Sequence, residues 1–373
     1  MSSDLQQRAL YHQTEPVSVQ ARYNQFNTVD LQISCGEGRS LVAGSVRINA
    51  DLRVLASGVI STGSRTFDKN VGGHAFWDNM SVSTQQQGLL ENSQNYSRMV
   101  AQDSVCSLNE LDMLDSRNQC ELKATNQLIS TDYASGFSPT LGTGTVVPVD
   151  ADFSIKPLIC LNKADRDIPF SKTGVITLSA NLARDMDSLY GQLQDVNTTY
   201  ELRNIRCTYK SVPEDKNPDP INMTVVHNIK SNMLSGTSTF SVNVPAVCKS
   251  VAMNFIPVAN DSVQVFNAYQ LENIKGFEEV QFMMNESVSN SLITYVLSDQ
   301  TEILQRYIDA VRDTSHNQVS IDKFRANDGW GMGLKFDEPT DLTNNRFTTQ
   351  IRSGVDNIYP VNVYMYFYAD IQI

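Results

Sequence analysis

Residues 360–373, PVNVYMYFYADIQI, alternate without a slip. Val361, Val363, Met365, Phe367, Ala369, Ile371 and Ile373 fall on one side, and Asn362, Tyr364, Tyr366, Tyr368, Asp370 and Gln372 on the other. A period of two is the signature of a strand with one face toward a core, because successive side chains of extended chain point to opposite faces. The same reading recurs along the chain. In residues 45–56, Val46, Ile48, Ala50, Leu52 and Val54 alternate with Arg47, Asn49, Asp51 and Arg53. Residues 17–23, 28–35, 151–161, 175–180, 199–212, 221–229, 237–244, 249–258, 277–284, 291–298, 319–324, 329–336 and 346–353 also read as strands. In residues 199–212, Leu202, Asn204 and Arg206 oppose Arg203, Ile205 and Cys207. Helical spacing is rare. It covers residues 301–313, where Ile303, Tyr307, Ala310 and Val311 form a stripe, a short stretch carrying Leu108, Leu111 and Leu114, and residues 2–13. Short, turn-separated strands with few helices predict β-sandwiches.

A second feature divides the chain. Glu91, Gln94 and Tyr96 spell Glu-x-x-Gln-x-Tyr, and Glu302, Gln305 and Tyr307 spell it again, each after a strand-like run. Residues 213–220, PEDKNPDP, with three prolines and four charges, read as a linker. The chain after Tyr96 is longer than that after Tyr307 by close to the Gly-, Ser-, Thr- and Pro-rich excursion at 102–150. That accounting predicts a duplicated sandwich with an N-terminal arm at 1–16, a first domain at 17–212 carrying the 102–150 insertion, the linker at 213–220 and a second domain at 221–373. Glu91 and Glu302 are expected at matching places in the two domains. The arm either docks on a neighbour or is a frayed terminus.

The charge balance, 29 basic against 41 acidic residues for a formal net charge of −12, disfavours direct contact with nucleic acid phosphates. The first 30 residues offer only Arg8 and Arg22 as cations, so there is no basic arm. Residues 1–13 lack the apolar run of a secretory signal, and no stretch reaches the ~18 apolar residues of a membrane-spanning helix. Cys35, Cys106, Cys120, Cys160, Cys207 and Cys248 show no metal-like spacing; Cys106 and Cys120 are the one pair placed to bridge. Synthesis in a reducing cytoplasm is expected. Phosphate-loop, nucleophile-elbow and zinc-protease motifs are absent. His12, His74, His227 and His316 are isolated and read as surface or locally bonded side chains. Asp165 and Asp167 beside Arg166, and Asp185 and Asp187 beside Arg184, read as solvated loop charges, with a Ca²⁺ loop as the sharper alternative. Trp77 and Trp330 read as core or interface anchors. No catalytic, cofactor-binding or metal-binding residue is assigned, and no enzyme activity is expected.

The order of these signals resembles the double jelly-roll major capsid proteins of icosahedral, mostly tailless DNA viruses. Four stretches carry the resemblance: residues 44–55; residues 75–100, running into the Glu–Tyr segment; residues 153–182, with Ile168, Pro169 and Phe170 at a turn between two strands; and GWGMGLKF through the last strand. The resemblance implies an all-β fold of two eight-stranded jelly rolls in tandem with short helices in the connecting loops. It implies a homotrimeric, pseudo-hexameric capsomer that tiles an icosahedral shell, with residues 102–150 on the exterior. The implied partners are other copies of the chain, minor capsid or vertex proteins, and an internal membrane or its proteins through the N-terminal arm; the implied location is the virion. Two other functions fit a β-rich, motif-poor chain. One is a minor capsid or vertex protein. The other is a carbohydrate-binding β-sandwich, for which Tyr364, Tyr366 and Tyr368 would supply an exposed aromatic row.

Overall fold

The computed structural model describes residues 9–36, 38–56, 59–60, 65–66, 68, 71–107, 121, 151–191, 198–215, 219–233, 237–261, 269, 271, 277–287, 289, 291–311, 321–325, 329–354 and 360–373. Within them the alternating segments become sixteen principal strands. The first eight are β1 (Leu10–Thr14), β2 (Thr28–Ile33), β3 (Arg47–Ala56), β4 (Trp77–Thr84), β5 (Gly88–Ser93), β6 (Ala151–Ile155), β7 (Ile176–Leu182) and β8 (Thr198–Pro213). The second eight are β9 (Asn222–Met233), β10 (Ser238–Val242), β11 (Val247–Pro257), β12 (Phe277–Met284), β13 (Ser291–Val296), β14 (Met332–Asp341), β15 (Phe347–Ser353) and β16 (Val361–Gln372). Three helices matter below: α1 (Tyr96–Ser107), α2 (Gln300–Val311) and α3 (Ile321–Arg325).

The first eight strands form one sheet in the order β1-β8-β3-β6, extended by short strands at Arg39–Leu41, Val59–Ile60 and Ile168–Pro169, and a second in the order β2-β7-β4-β5. The second eight form sheets β9-β16-β11-β14 and β10-β15-β12-β13. Adding eight to each label of the first set reproduces the second. The ladders with described register are antiparallel. Two four-stranded sheets wound in this order make a jelly roll.

The chain divides into two compact units. Unit 1 is Met1–Val100, Glu110–Val225 and Ile371–Ile373; unit 2 is Ala101–Asn109 and Val226–Asp370. In unit 1 the core contains Val29, Leu31, Ile33, Ile48, Leu52, Met80, Val82, Ile176 and Leu178, all buried. Phe76 anchors it, 5.7 Å from the Phe153 ring and 4.9 Å from Tyr200. In unit 2, Phe347 of β15 meets Phe367 of β16 edge-on at 5.4 Å, joining the two sheets. Both predicted anchors, Trp77 and Trp330, are fully buried.

The expected helix at 2–13 is replaced over its described part. Leu10–Thr14 pairs with β8, from Leu10 opposite Ser211 to Thr14 opposite Cys207. The ladder gives these residues backbone partners from a strand already held in the sheet, whereas a short isolated helix is only marginally stable in water. Residues 17–23 alternate in sequence yet are no strand. Only Pro16 and Tyr23 make isolated bridges, to Leu31 and Leu202, while Val17 and Val19 stay exposed. Residues 319–324 read as a strand, but Ile321–Arg325 is the helix α3, which sets buried Phe324 against Trp330 with ring centroids 5.7 Å apart. In β8 the predicted alternation breaks. Arg203 faces Asp51 and Arg206 faces Asn49, so one extra residue bulges, with Asn204 at φ 49. The bulge changes phase, and Leu202 and Cys207, expected on opposite faces, are both buried. Of the 102–150 excursion, residues 102–107 complete α1; 108–120 and 122–150 lie outside the described residues, as do Cys120, His316 and residues 2–8.

Candidate functional site

Of the two Glu-x-x-Gln-x-Tyr copies, the first runs from β5 into α1 and the second lies within α2. Glu91 lies in β5, 1% exposed, on the core-facing side opposite Val82. Its Oε2 accepts the Cys160 backbone N–H at 2.6 Å, and Ser93 Oγ donates to Oε1 at 3.2 Å. It thus caps the short 3₁₀ turn Cys160–Asn162. Burial raises the Glu91 carboxyl above the usual carboxylate range, against the pull of Lys163 and these donors. Burial also pushes the neighbouring Cys160 thiol well up, reinforced by Glu91. Tyr96, first residue of α1, is buried; its hydroxyl accepts the Leu158 N–H at 2.9 Å and shares a 2.8 Å hydrogen bond with His74 Nδ1.

Glu302 is different. It is exposed in the first turn of α2, its backbone N–H bonded to Asp299 Oδ1 at 3.3 Å. The expectation that Glu91 and Glu302 occupy matching places is therefore wrong. Ladder irregularities give the true register. Asp78 is the extra residue in β4, skipped between Asn79 opposite Asn181 and Trp77 opposite Leu182; Glu278 is the extra residue in β12, skipped between Phe277 opposite Ser353 and Glu279 opposite Arg352. Leu90 is skipped in β5 and Leu292 in β13. These pairs stand 200 and 202 positions apart, whereas the hexapeptides stand 211 apart. The place of Glu91, opposite Val82, belongs in the second roll to Ile293, opposite Phe282.

Tyr307 of α2 is fully buried in unit 2. The Cys106 thiol donates to its hydroxyl at 3.3 Å, and the Asn254 amide donates at 3.4 Å. Burial pushes the Cys106 thiol to about 12, so it is no nucleophile near neutral pH. Tyr368 donates to Gln102 Oε1 and Tyr364 to Asp261 Oδ2, each at 2.8 Å; both rings and Tyr366 are buried. The last strand is covered on both faces over Val361–Ala369, and its tyrosines present no exposed aromatic row. This helix-side layer sits close because of two glycines. A Cβ on Gly331 would stand 2.6 Å from Tyr307 Cζ, and one on Gly333 2.6 Å from Ala310 Cβ.

The remaining candidates are tied to protein partners. Asp165 accepts from the Asn222 N–H and side chain, Asp167 from the Ala43 N–H, Asp185 from the Tyr200 N–H, and Asp187 from Arg184 and Arg98. His12 bonds Ser211 Oγ at 2.7 Å and stacks on Tyr209. Among the described residues no three His, Cys, Asp or Glu side chains gather as a metal site, and no helix is long and apolar enough to cross a membrane. Sequence reading missed the exposed apolar side chains of the edge strands: Leu89 on β5, and Leu292 and Val296 on β13.

No family model and no curated protein matches the chain. Solved structures do. Over 98% of its length it superposes on 90% of the Faustovirus major capsid protein, with a TM-score of 0.66 at 7% identity. It superposes as widely on 86% of a chain from the Sputnik virophage structure, with a TM-score of 0.61 at 8% identity. For a chain of the PBCV-1 virus capsid the coverage is 98% against 94%, the TM-score 0.58 and the identity 11%. The chain folds as a double jelly roll. Both rolls contribute to that likeness, since 98% coverage leaves neither out.

Proposed function

We propose that this double jelly roll is a viral major capsid protein. Three copies form a pseudo-hexameric capsomer, and capsomers tile an icosahedral shell in the virion. The observation that carries the reading is the repetition of one strand order in both rolls, matched along nearly the whole chain by the Faustovirus capsid protein. Two rolls of like topology give a trimer six similar domains, and near-sixfold units pack into closed shells. The acidic charge agrees with a shell protein that leaves the genome to other components. Minor capsid or vertex proteins would meet the capsomers at their margins. The reading as a minor capsid protein built of one roll plus an appendage lacks support, because the second half is itself a complete eight-stranded roll. The carbohydrate-binding reading loses its aromatic row to burial.

Size-exclusion chromatography with light scattering tests the proposal. A stable species near three chains of 41.5 kDa, about 125 kDa, is expected, with hexagonal outlines in negative stain. A monomer that binds glycans overturns it.

A further inference from the structure

We infer that β5 and β13, the corresponding edge strands of the two rolls, are surfaces through which one copy of this chain contacts another. The inference rests on the capsid reading and names the contact that reading leaves open.

Among the described residues each strand has one neighbour in its sheet, β4 for β5 and β12 for β13, and one side without a partner strand. Proteins that stay monomeric guard such edges, most often with charge. Here the exposed residues are Gly88, Leu89 and Asn92 on β5, and Ser291, Leu292, Thr294 and Val296 on β13; none is charged. Leu89 is 65%, Leu292 41% and Val296 54% exposed. Both strands also bulge at the same place in their ladders, at Leu90 and at Leu292, although the sequences GLLENS and SLITYV share little else. A bulge twists an edge and interrupts its unpaired row of backbone groups. The repeated feature therefore discourages open-ended strand addition, and at it Leu89 on β5, next to the bulged Leu90, and the bulged Leu292 itself on β13 are exposed.

Charge selects the occupant. With a net charge of −12, two copies repel wherever their acidic surfaces meet, and a contact between copies requires a surface where that charge is absent or paired; Glu279 on β12, opposite Val296, is paired with Arg352 at 3.1 Å. A basic partner would gain nothing from these uncharged strands and would be drawn to the acidic surface instead. A second copy of the same chain fits both facts.

The test uses the full chain with Leu89→Thr, Leu292→Thr and Val296→Thr combined, since threonine keeps strand propensity. A harsher pair, Leu89→Asp with Leu292→Asp, and a control, Val247→Asp, accompany it; Val247 is 50% exposed on β11. Circular dichroism and melting confirm that each variant is folded. Light scattering and negative stain read the mass and the particles. Loss of the ~125 kDa species toward 41.5 kDa, or retention of it with loss of closed shells, supports the inference. Unchanged trimer and unchanged shells in the folded triple variant overturn it, as does equal disruption by Val247→Asp. A wild-type chain that stays monomeric and forms no particles overturns the capsid reading itself, an outcome separate from any behaviour of the variants.

Discussion

Glu91 shows how one residue departs from the pattern around it. Its place in the ladder calls for an aliphatic side chain, and the second roll has Ile293 there. A carboxylate at that place loses its hydration and is held by the Cys160 N–H and thiol, Ser93 Oγ and the field of Lys163. Its folded-state proton affinity is raised, so between its ordinary value of 4.5 and the higher folded value the native chain binds more protons than the unfolded one. Stability from this group is fully present below 4.5 and is lost as pH rises through the folded value. Glu91→Gln keeps an acceptor for Cys160 without the ionisation. The melting temperature of the wild type minus that of Glu91→Gln is therefore expected to fall as pH rises through this window. A difference that is flat or rises with pH would contradict the account.

At the scale of elements, the contact of α2 with its sheet depends on residues that lack side chains. Gly331 and Gly333 lie beneath Tyr307 and Ala310, and Ser250 Oγ donates to the Ala310 carbonyl at 2.6 Å. Gly333→Ala places a methyl 2.6 Å from Ala310 Cβ and 3.1 Å from the Val251 carbonyl. Overpacking of this kind costs about 1–3 kcal/mol. Urea denaturation should show a loss of that size in the transition of the second roll, while Gly88→Ala, which lies in the first roll at φ +76, should leave that transition unchanged. The helix stripe itself was plain in sequence: Ile303, Tyr307, Ala310 and Val311 are all buried. The glycines that receive it were not, because a Gly in a strand reads equally as a bulge, a bend or a close approach.

For the whole molecule, the excess of acidic groups opposes the association that the fold invites. Raising ionic strength from about 0.01 M to 0.15 M shortens the screening length from about 30 Å to about 8 Å, which weakens repulsion between copies but leaves apolar contacts intact. Assembly followed by light scattering is expected to strengthen with added sodium chloride over that range. Weakening would mean that ion pairs, rather than the uncharged strands β5 and β13, hold the copies together.

Alternation alone carried much of the fold. The strands at 28–35, 45–56, 346–353 and 360–373 were legible because a half-buried strand must repeat with period two, and each lies where it was read. Tertiary structure decided the rest. Residues 10–14 became a strand because β8 offered its open edge, and residues 17–23 did not because Val17 and Tyr23 find only isolated backbone partners, Asp30 and Leu202, with no continuous ladder between them. The second face of β16 is buried by a layer that strand periodicity does not see, which removed the tyrosine row from the surface. The repeat of the chain was real, but the hexapeptide marked the wrong register. Three matching letters fix neither burial nor pairing, whereas bulges at Asp78 and Glu278, and at Leu90 and Leu292, are set by ladders between distant strands. Local sequence determines which residues alternate; only the pairing of remote segments decides which face is covered and which edge is left for a partner.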